Sequence, residues 1–275
     1  FYEGGSYDLE QLFQKEDITE EVRSYMASSF TGNLKELKNV LSQTQIPVVN
    51  IGKHCKDPYE CPFYAHCREG LPAHHVEQLP NTRSELSESL MRAGIIDIAD
   101  IPEEFPGLSK MQIRIRDSIV NGRPYIDPEL PKILLDLSHP ILYLDFETFS
   151  SALPLYVGTR PYESIPFQWS MHIQDEDGTV THREFLYEGI EDPRPDFISS
   201  LISAAGSTGS VVTYSGYEAS IIKALTMNFP QYEGSLLAIR DRIFDLYKAI
   251  RDHYYHPEFH GSFSLKSVLP ALVPD

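Results

Sequence analysis

Two carboxylates stand one residue apart at the end of an apolar run, ILYLDFET, which spans residues 141–148. Because side chains on a strand repeat with period two, Asp145 and Glu147 are expected on the same face. Neighbouring anions repel each other unless a cation lies between them, and Mg²⁺ or Mn²⁺, which prefer hard oxygen ligands, are the natural counter-ions. The same spacing also occurs at solvated strand ends, so these two residues alone leave both interpretations open.

Two further acids follow apolar runs later in the chain. Glu218 comes after SVVTYS, and Asp245 comes after RIF. Residues just beyond the carboxyl ends of strands converge on the ligand crevice of an α/β sheet. Taken alone, Glu218 is better explained as an acid that complements the dipole at a helix N-terminus. The order of the acids after separate strands nevertheless predicts one carboxylate cluster.

The elements that must position these acids begin with three β-rich runs, ILYLDFET, IPFQWSMHIQ and VTHREFLYE. The segment DEDGT between the second and third is a strong hairpin signal. An amphipathic helix, a short buried strand and another helix follow. This β-β-β-α-β-α order predicts an α/β fold for residues 139–275, a ribonuclease H-like mixed sheet with flanking helices.

The first half of the chain has a different pattern. Residues 1–70 are expected to be mostly helical, with two short helices between 17 and 45 that are broken at Thr31-Gly32-Asn33. Residues 71–138 are expected to form a helical connector that resembles a helix-hairpin-helix unit. In that connector Asn81 or Thr82 is the predicted N-cap and Gly94 the predicted helix end, and the proline-rich segment 123–140 is the predicted linker.

All of the cysteines lie in one loop, HCKDPYECPFYAHC, at residues 54–67. Five residues separate Cys55 from Cys61, and five separate Cys61 from Cys67. An odd number of cysteines at regular spacing is not a disulfide framework and favours an iron-sulfur cluster or a zinc site. One ligand is then missing, or it is His54 or His66. Three reduced thiols that merely pack are the alternative.

The charge balance restricts the classes of molecule that the protein is expected to bind. The chain of 275 residues carries 23 basic and 40 acidic residues, a net charge of −17. This argues against a generic binder of polyanions, but a metal-dependent nuclease needs acids at its centre. No stretch approaches the roughly 18 to 20 apolar residues of a membrane span and no signal peptide opens the chain, so a cytoplasmic protein without membrane contact is expected. Because the sequence begins without Met, a fragment of a longer polypeptide is also expected.

Several segments resemble a known group of enzymes. YLDFET resembles the first motif of DnaQ-like 3'-5' exonucleases, the group named for its four acids, Asp-Glu-Asp-Asp. VVTYSGYEASII resembles the second motif, and RIFDLY and GSFSLKSVLPAL resemble segments that follow in bacterial members. DFETFSSALPLYVGTRPYESIPFQWSMH and YYHPEFHGSFSLKSVLPALVP are similar to an uncharacterised bacterial domain family often attached to RecB-like nuclease regions. Together these resemblances cover most of residues 48–275.

The resemblance implies that Asp145, Glu147 and Glu218 bind Mg²⁺ or Mn²⁺ and that Asp245 takes part in catalysis. The implied activity is two-metal hydrolysis of phosphodiester bonds in DNA or RNA. There are departures: Ser215 stands where Asn is common, and Glu218 stands where Asp is common. The fourth acid, and the His or Tyr that activates water, are expected beyond Asp275. The alternative is a binding or scaffold module that has lost its chemistry.

The cysteine loop is similar to the downstream cysteine group of RecB-like nucleases of the helicase-nuclease and CRISPR-associated kinds. In those proteins an upstream cysteine joins that group to hold a [4Fe-4S] cluster. The resemblance implies such a cluster, or a zinc ion in its place, on Cys55, Cys61 and Cys67. The upstream cysteine and the RecB-like nuclease region are then expected before Phe1, in the same longer chain.

Other residues are candidates for contact with a nucleic-acid substrate. In TRPYESIPFQWS, Arg160, Tyr162 and Gln168 are candidates, and Tyr162 or Trp169 could stack on a base. Aromatic residues at strand spacing are more often part of a core. Ser215 and Lys266 complete the predicted substrate-binding set. A further set of residues in HYYHPEFHGSFSLK suggests a loop that faces phosphate, although ordinary surface histidines explain it equally well: His253, His256 and His260.

Overall fold

The computed structural model describes residues 1–49 and 51–273, which form two compact units, one of residues 4–71 and the other of residues 1–3 with 72–275. The smaller unit contains α1 (Leu9–Leu12), α2 (Thr19–Tyr25), α3 (Thr31–Ser42) and α4 (Tyr64–Cys67), so the predicted helical, cysteine-containing region is confirmed.

The predicted break within the smaller unit is wrong in position. A π-helical turn, Met26–Phe30, joins α2 to α3, and Thr31-Gly32-Asn33 opens α3 instead of interrupting it. A single glycine costs a helix only about 1 kcal/mol, which the good helix formers that follow it offset.

The larger unit alternates helices with strands. Its helices are α5 (Ser84–Arg92), α6 (Lys110–Asn121), α7 (Leu130–Leu135), α8 (Arg194–Ala205), α9 (Tyr217–Asn228), α10 (Glu233–Arg240), α11 (Leu246–His253) and α12 (Leu265–Leu272). Its strands are β1 (Tyr125–Ile126), β2 (Ile141–Phe149), β3 (Ile165–Gln174), β4 (Val180–Leu186), β5 (Ser210–Thr213), β6 (Ile243–Asp245) and β7 (Tyr254–Tyr255). The segment 123–140, predicted as a linker, thus contains β1 and α7.

Five strands form a mixed sheet in the order β4-β3-β2-β5-β6. β2, β3 and β4 are antiparallel neighbours, whereas β5 runs parallel to β2 and β6 runs parallel to β5. The predicted hairpin joins β3 to β4, where the backbone N–H of Asp175 donates to the carbonyl of Thr179 at 2.9 Å. The predicted α/β fold, a ribonuclease H-like mixed sheet with flanking helices, is confirmed.

One core lies between the sheet and the helices α8, α9 and α10. Leu142, Leu144 and Phe146 alternate along β2 and point into this core, where Phe197 and Ile222 of the helices are completely buried. Burial of each such side chain contributes about 1.5–3 kcal/mol. The strand period then places the intervening residues of β2 on the opposite face, which is where the acids lie.

A second core joins the predicted connector to the end of the chain. Leu90 of α5 and Ile115 of α6 pack in one cluster with Tyr255 and Phe259, and β1 pairs with β7. Gly261 is required in this contact, because its φ is 78° and an added Cβ would lie 1.7 Å from the carbonyl oxygen of Gln78. Segments 71–138 and 139–275 therefore share one hydrophobic core.

The ends of α5 differ in part from the prediction. The N-cap is Arg83; Asn81 has a left-handed φ of 54°, and the hydroxyl of Thr82 donates to the carbonyl of Leu79 at 2.7 Å. The predicted N-cap is thus wrong, because Thr82 closes the preceding turn instead. Gly94, with a φ of 68°, follows the last turn as predicted. Among residues 1–49 and 51–273, none of the helices has both the length and the apolar character that crossing a membrane requires.

Candidate active site

Asp145 and Glu147 lie on the open face of β2, as predicted. Both side chains are exposed, whereas Leu144, which precedes Asp145, and Phe146, which lies between the two acids, are buried. The pairing of β2 with β3 shifts register between Glu147 and Thr148. Such bulges re-aim side chains and are frequent beside active sites. The strand therefore presents both carboxylates to solvent at the point where its pairing becomes irregular.

Glu218 is the second residue of α9 and, unlike the other three acids, it is buried. Only 4% of its surface is exposed, and its Oε2 atom has no hydrogen-bond partner among the described residues. A buried polar atom without a partner costs about 1–3 kcal/mol, and in native proteins it commonly marks a functional group or the site of an ion. This carboxylate is the strongest sign of a site in the molecule.

The protonation of Glu218 reflects the same surroundings. The pKa of Glu218 is raised to about 7, chiefly by burial and in addition by the negative charges of Asp145 and Asp245, whereas hydrogen bonds from the backbone N–H groups of Glu218 and Phe146 oppose the rise. Since each of these two charges acts on Glu218, acids from β2, α9 and β6 lie within electrostatic reach of one another. Asp145 and Asp245 thus both lie near enough to Glu218 to affect its protonation.

Asp245 has a structural role as well. It is the last residue of β6 and the N-cap of α11, and its Oδ1 accepts a hydrogen bond from the backbone N–H of Lys248 at 3.0 Å. β6 pairs with β5 so that Asp245 lies opposite Thr213, the last residue of β5. The cap therefore fixes this carboxylate beside the turn that leads to Glu218.

The turn between β5 and α9 is tightly constrained. Ser215 has a φ of 127°, a conformation that costs a residue with a Cβ of order 1–3 kcal/mol. The hydroxyl of Thr213 donates to the carbonyl of Ser215 at 2.9 Å, and the Ser215 hydroxyl accepts from the backbone N–H of Tyr217 at 3.2 Å. The Tyr217 hydroxyl also bonds the hydroxyl of Thr148 on β2. Ser215 thus contributes to positioning Glu218.

The chemistry of these side chains suits a hard divalent cation, because carboxylate oxygens are the ligands that Mg²⁺ and Mn²⁺ prefer. The unpartnered Oε2 of Glu218 offers one such oxygen. Within the part of the chain that the structure describes, however, no three side chains of His, Cys, Asp or Glu are grouped closely enough to hold a metal ion. The acids share one region without forming a closed ligand set.

The loop between β2 and β3 carries two of the predicted substrate residues. Arg160 and Tyr162 are both exposed, and Tyr162, at 71% exposure, has a left-handed φ of 58°. The next residue, Glu163, accepts from the guanidinium of Arg194 at 3.4 Å and from the side-chain amide of Asn228 at 3.2 Å. This anchor holds the loop against α8 and α9 while Tyr162 points to solvent.

The other predicted substrate residues lie in different surroundings. Trp169 is 3% exposed and its Nε1 donates to the hydroxyl of Ser200 at 2.9 Å, so the interpretation as a core residue is confirmed. Gln168 is half-buried and pairs with Glu147 across β2 and β3. Lys266 is exposed in the first turn of α12.

The predicted histidine loop makes local contacts. His253 lies 3.7 Å from the carboxylate of Asp127, and His256 accepts from the backbone N–H of Glu258 at 3.2 Å. The ring of His260 stacks on that of His74, with centroids 5.6 Å apart. These contacts tie the loop to the connector and to itself, and the phosphate-facing loop stays a prediction.

The three cysteines are free. Cys55 is buried, Cys61 and Cys67 are half-buried, and the backbone N–H of Cys61 donates to the carbonyl of Cys55 at 2.8 Å. Among the described side chains, neither His54 nor His66 completes a metal-binding group with them. The cluster or zinc site therefore stays a prediction.

The sequence interpretation missed one group of residues beside the acids. Tyr214 directly follows β5, and Tyr247 and Arg251 lie on α11, which Asp245 caps. The rings of Tyr214 and Tyr247 meet edge to face at 6.0 Å, and the guanidinium of Arg251 lies 5.8 Å from the Tyr247 centroid. The four-residue spacing of Tyr247 and Arg251 on a helix was the available signal.

The sheet order and the flanking helices define an α/β protein with a five-stranded mixed sheet. A family model, described as a domain of unknown function (DUF2779), matches residues 142–264, a segment that contains all four acids. Comparison with curated proteins and with solved structures finds no match.

Proposed function

We propose that this protein is a metal-dependent nuclease that hydrolyses phosphodiester bonds of DNA or RNA in the manner of a 3'-5' exonuclease. The observation that carries the proposal is the buried carboxylate of Glu218: its Oε2 has no hydrogen-bond partner among the described residues, and the negative charges of Asp145 and Asp245 raise its pKa. A divalent cation bound there would relieve both the unpaired atom and the repulsion at a pH where Glu218 is ionised.

In this proposal Asp145, Glu147 and Glu218 hold Mg²⁺ or Mn²⁺. When bound, the ions lower the pKa of a water molecule and stabilise the leaving oxygen of the substrate. Asp245, fixed as the cap of α11, adds negative charge beside them. Removal of any one ligand is expected to abolish cleavage.

Glu218 also makes ion binding depend on pH. Its carboxyl has a pKa of about 7, so near neutral pH it is partly protonated and must lose that proton before it can bind a cation. Metal affinity is therefore expected to rise between about pH 6 and pH 8.

A non-catalytic scaffold is the second candidate function. It is supported by the capping role of Asp245 and by the lack of a closed group of three metal-binding side chains among the described residues. In this alternative the acids serve solubility or contact with a protein partner.

Calorimetric titration with Mn²⁺ separates the two candidates. The nuclease proposal predicts binding that is lost in Asp145→Asn and in Glu147→Gln. Glu184→Gln is the matched control, because Glu184 is exposed and lies opposite Ser170, which itself pairs with Asp145. Equal Mn²⁺ affinity in all four proteins would leave only the scaffold. Cleavage of end-labelled oligonucleotides by the wild type, but not by Asp145→Asn, tests the activity itself.

The cysteine loop is proposed to hold a [4Fe-4S] cluster or Zn²⁺ with a ligand from outside it, in a chain that also carries a RecB-like region. Three free thiols suit the reducing cytoplasm, which supports the predicted compartment. Visible absorption of anaerobically purified protein distinguishes a cluster from colourless zinc. Protein that contains neither iron nor zinc would contradict both assignments.

A further inference from the structure

Two histidines lie side by side on the face of the sheet that is opposite the core. His172 of β3 is directly opposite His182 of β4, which is the edge strand. Their ring centroids are 4.5 Å apart, and the ring planes are tilted by 34°. Directly opposed residues of antiparallel strands have Cβ atoms about 4.5–5.5 Å apart. The register of the two strands therefore keeps the imidazoles next to each other; we call them the histidine pair.

The strand period leaves both rings accessible to solvent. Met171 and Ile173, the neighbours of His172 in the chain, are buried in the core, so His172 lies on the opposite face of β3. His172 and His182 are both exposed. An ion or its water ligands can therefore reach the histidine pair without any rearrangement of the core.

Ser170 gives His182 an arrangement that is usual for a metal ligand. The Nε2 atom of His182 is hydrogen-bonded to the hydroxyl of Ser170 at 3.0 Å. Histidines that bind metals commonly use their second ring nitrogen to donate to an oxygen. In the tautomer in which Nε2 donates to Ser170, Nδ1 of His182 keeps a lone pair that can bind a cation. The hydroxyl of Ser170 thus positions the ring and is not itself a ligand.

The distance between the rings suits one shared ion. A metal ion about 2.1 Å from one nitrogen of each ring lies about 3.2 Å from each ring centroid. Two rings at a right angle about that ion have centroids about 4.6 Å apart, whereas two rings at the tetrahedral angle have centroids about 5.3 Å apart. The observed 4.5 Å agrees with neighbouring positions around a square-planar or tetragonal ion, the geometry of Cu²⁺ and Ni²⁺ with nitrogen and oxygen ligands.

The charges near the histidine pair favour a cation. The next row of the same face consists of Asp145, Ser170 and Glu184, which lie opposite one another on β2, β3 and β4, and both of these acids are exposed. The net charge of the chain, −17, has the same sign. Nitrogen ligands bind Ni²⁺ and Cu²⁺ more tightly than Mn²⁺, and Mg²⁺ prefers oxygen. The histidine pair therefore differs in metal preference from the carboxylates.

We propose that His172 and His182 chelate one divalent transition-metal ion of the Ni²⁺ and Cu²⁺ kind, with water in its other coordination positions. Two protein ligands agree with the lack of a group of three metal-binding side chains among the described residues. Because the ligands come from neighbouring strands, the ion links the edge strand β4 to β3. The site is separate from the carboxylates of the proposed function and does not depend on nuclease activity.

Calorimetric titration of the whole chain with Ni²⁺ tests the site. His172→Asn and His182→Asn are each expected to weaken one Ni²⁺-binding event by at least about 10-fold, because the second bond of a chelate forms within one molecule. The double variant is expected to bind no more weakly than either single variant, since both ligands act as one unit. Any Ni²⁺ bound by the cysteine loop is common to all of these proteins, so the differences report the histidine pair.

His260→Asn is the matched control. His260 is also exposed and also has a histidine neighbour, His74, but these two rings are stacked with centroids 5.6 Å apart. Asparagine tolerates the left-handed φ of 48° at this position. This variant is expected to bind Ni²⁺ as the wild type does.

Amide hydrogen exchange gives a second readout. Ni²⁺ is expected to slow exchange of the β4 amides in the wild type and to leave it unchanged in His182→Asn, because the ion links β4 to β3. The site is rejected if either histidine variant binds Ni²⁺ as tightly as the wild type, or if His260→Asn loses binding to the same degree. Loss of Ni²⁺ binding in Asp145→Asn would also reject it, since the ion would then belong to the carboxylates. Ni²⁺ binding by the histidine pair in a protein without Mn²⁺ affinity would support this site and contradict the nuclease proposal.

Discussion

The negative charge of Asp145, on strand β2, raises the pKa of the buried carboxyl group of Glu218 at the start of α9. The two acids come from different elements, and Glu218 follows the turn in which Ser215 has a φ of 127°. Two anions kept this close in a partly dry region oppose folding unless something compensates for them.

The free energy of unfolding is expected to fall as pH rises from about 4.5 to above 7. The pKa of Glu218 is raised in the folded protein, to about 7, from an ordinary value of 4.5. Between these values the native state binds more protons than the unfolded state, so the contribution is present at low pH and is lost as pH rises through the folded pKa. Urea unfolding at pH 5 and pH 8, compared with Glu218→Gln, measures it.

In that comparison Glu218→Gln is expected to be more stable than the wild type at pH 8, by about 1–3 kcal/mol, and to lose most of this advantage at pH 5. A variant with the same pH dependence as the wild type would show that Glu218 does not titrate in this range.

Addition of Mn²⁺ is expected to raise the melting temperature of the wild type. An ion that binds only the native state stabilises it by about 2.7 kcal/mol at a hundredfold excess over the dissociation constant. Asp145→Asn is expected to remove this shift while melting normally without metal, since Asp145 is an exposed side chain. Differential scanning calorimetry with and without EDTA makes the measurement. A full shift in Asp145→Asn would rule out this carboxylate as a ligand.

Gly261→Ala is expected to lower the free energy of unfolding by about 2–3 kcal/mol, because the new Cβ meets the backbone of Gln78 in the second core. Gly122→Ala is the matched control. Gly122 also has a positive φ, 61°, but nothing lies within 4 Å of its added Cβ, so only the cost of the left-handed conformation, about 1–2 kcal/mol, remains. Equal losses in guanidinium unfolding would show that the close approach to Gln78 does not matter.

Arg194→Met is expected to destabilise the protein by about 3–5 kcal/mol, because it leaves the carboxylates of Asp192 and Glu163 without their buried cation. The same change should release the loop that carries Tyr162. Protease cleavage between residues 150 and 164 measures that release separately from global unfolding. Arg160→Met is the control, since the side chain of Arg160 is exposed. Equal cleavage rates in the two variants would contradict the anchoring role.

Much of the sheet could be predicted because its signals are local. Alternation along β2 placed Asp145 and Glu147 on one face, and the Asp-Gly turn after β3 gave the hairpin. The acids at later strand ends could be expected to converge, since parallel strands end at one edge of a sheet. The burial of Glu218 could not be predicted, because it depends on how the chain packs around the turn at Ser215. A serine in the sequence does not indicate that its φ will be positive.

The N-terminal half was harder to predict for the same reason. Thr82 has the chemistry of an N-cap, and only the tertiary structure shows that its hydroxyl closes the preceding turn. The contact between Arg114 and Arg251 joins residues far apart in the chain, and no periodic pattern in the sequence predicts it. That contact depends on the tertiary structure alone.

The second core limits how this molecule can be dissected. Leu90 and Ile115 cover the apolar sides of Tyr255 and Phe259, so a truncation that starts at residue 139 would expose them to water. Such a shortened protein would be prone to aggregation, and its α11 would lose Arg114 at its last turn. An inactive truncation would then report a damaged scaffold, and domain-swap or deletion experiments should keep residues 72–273 together.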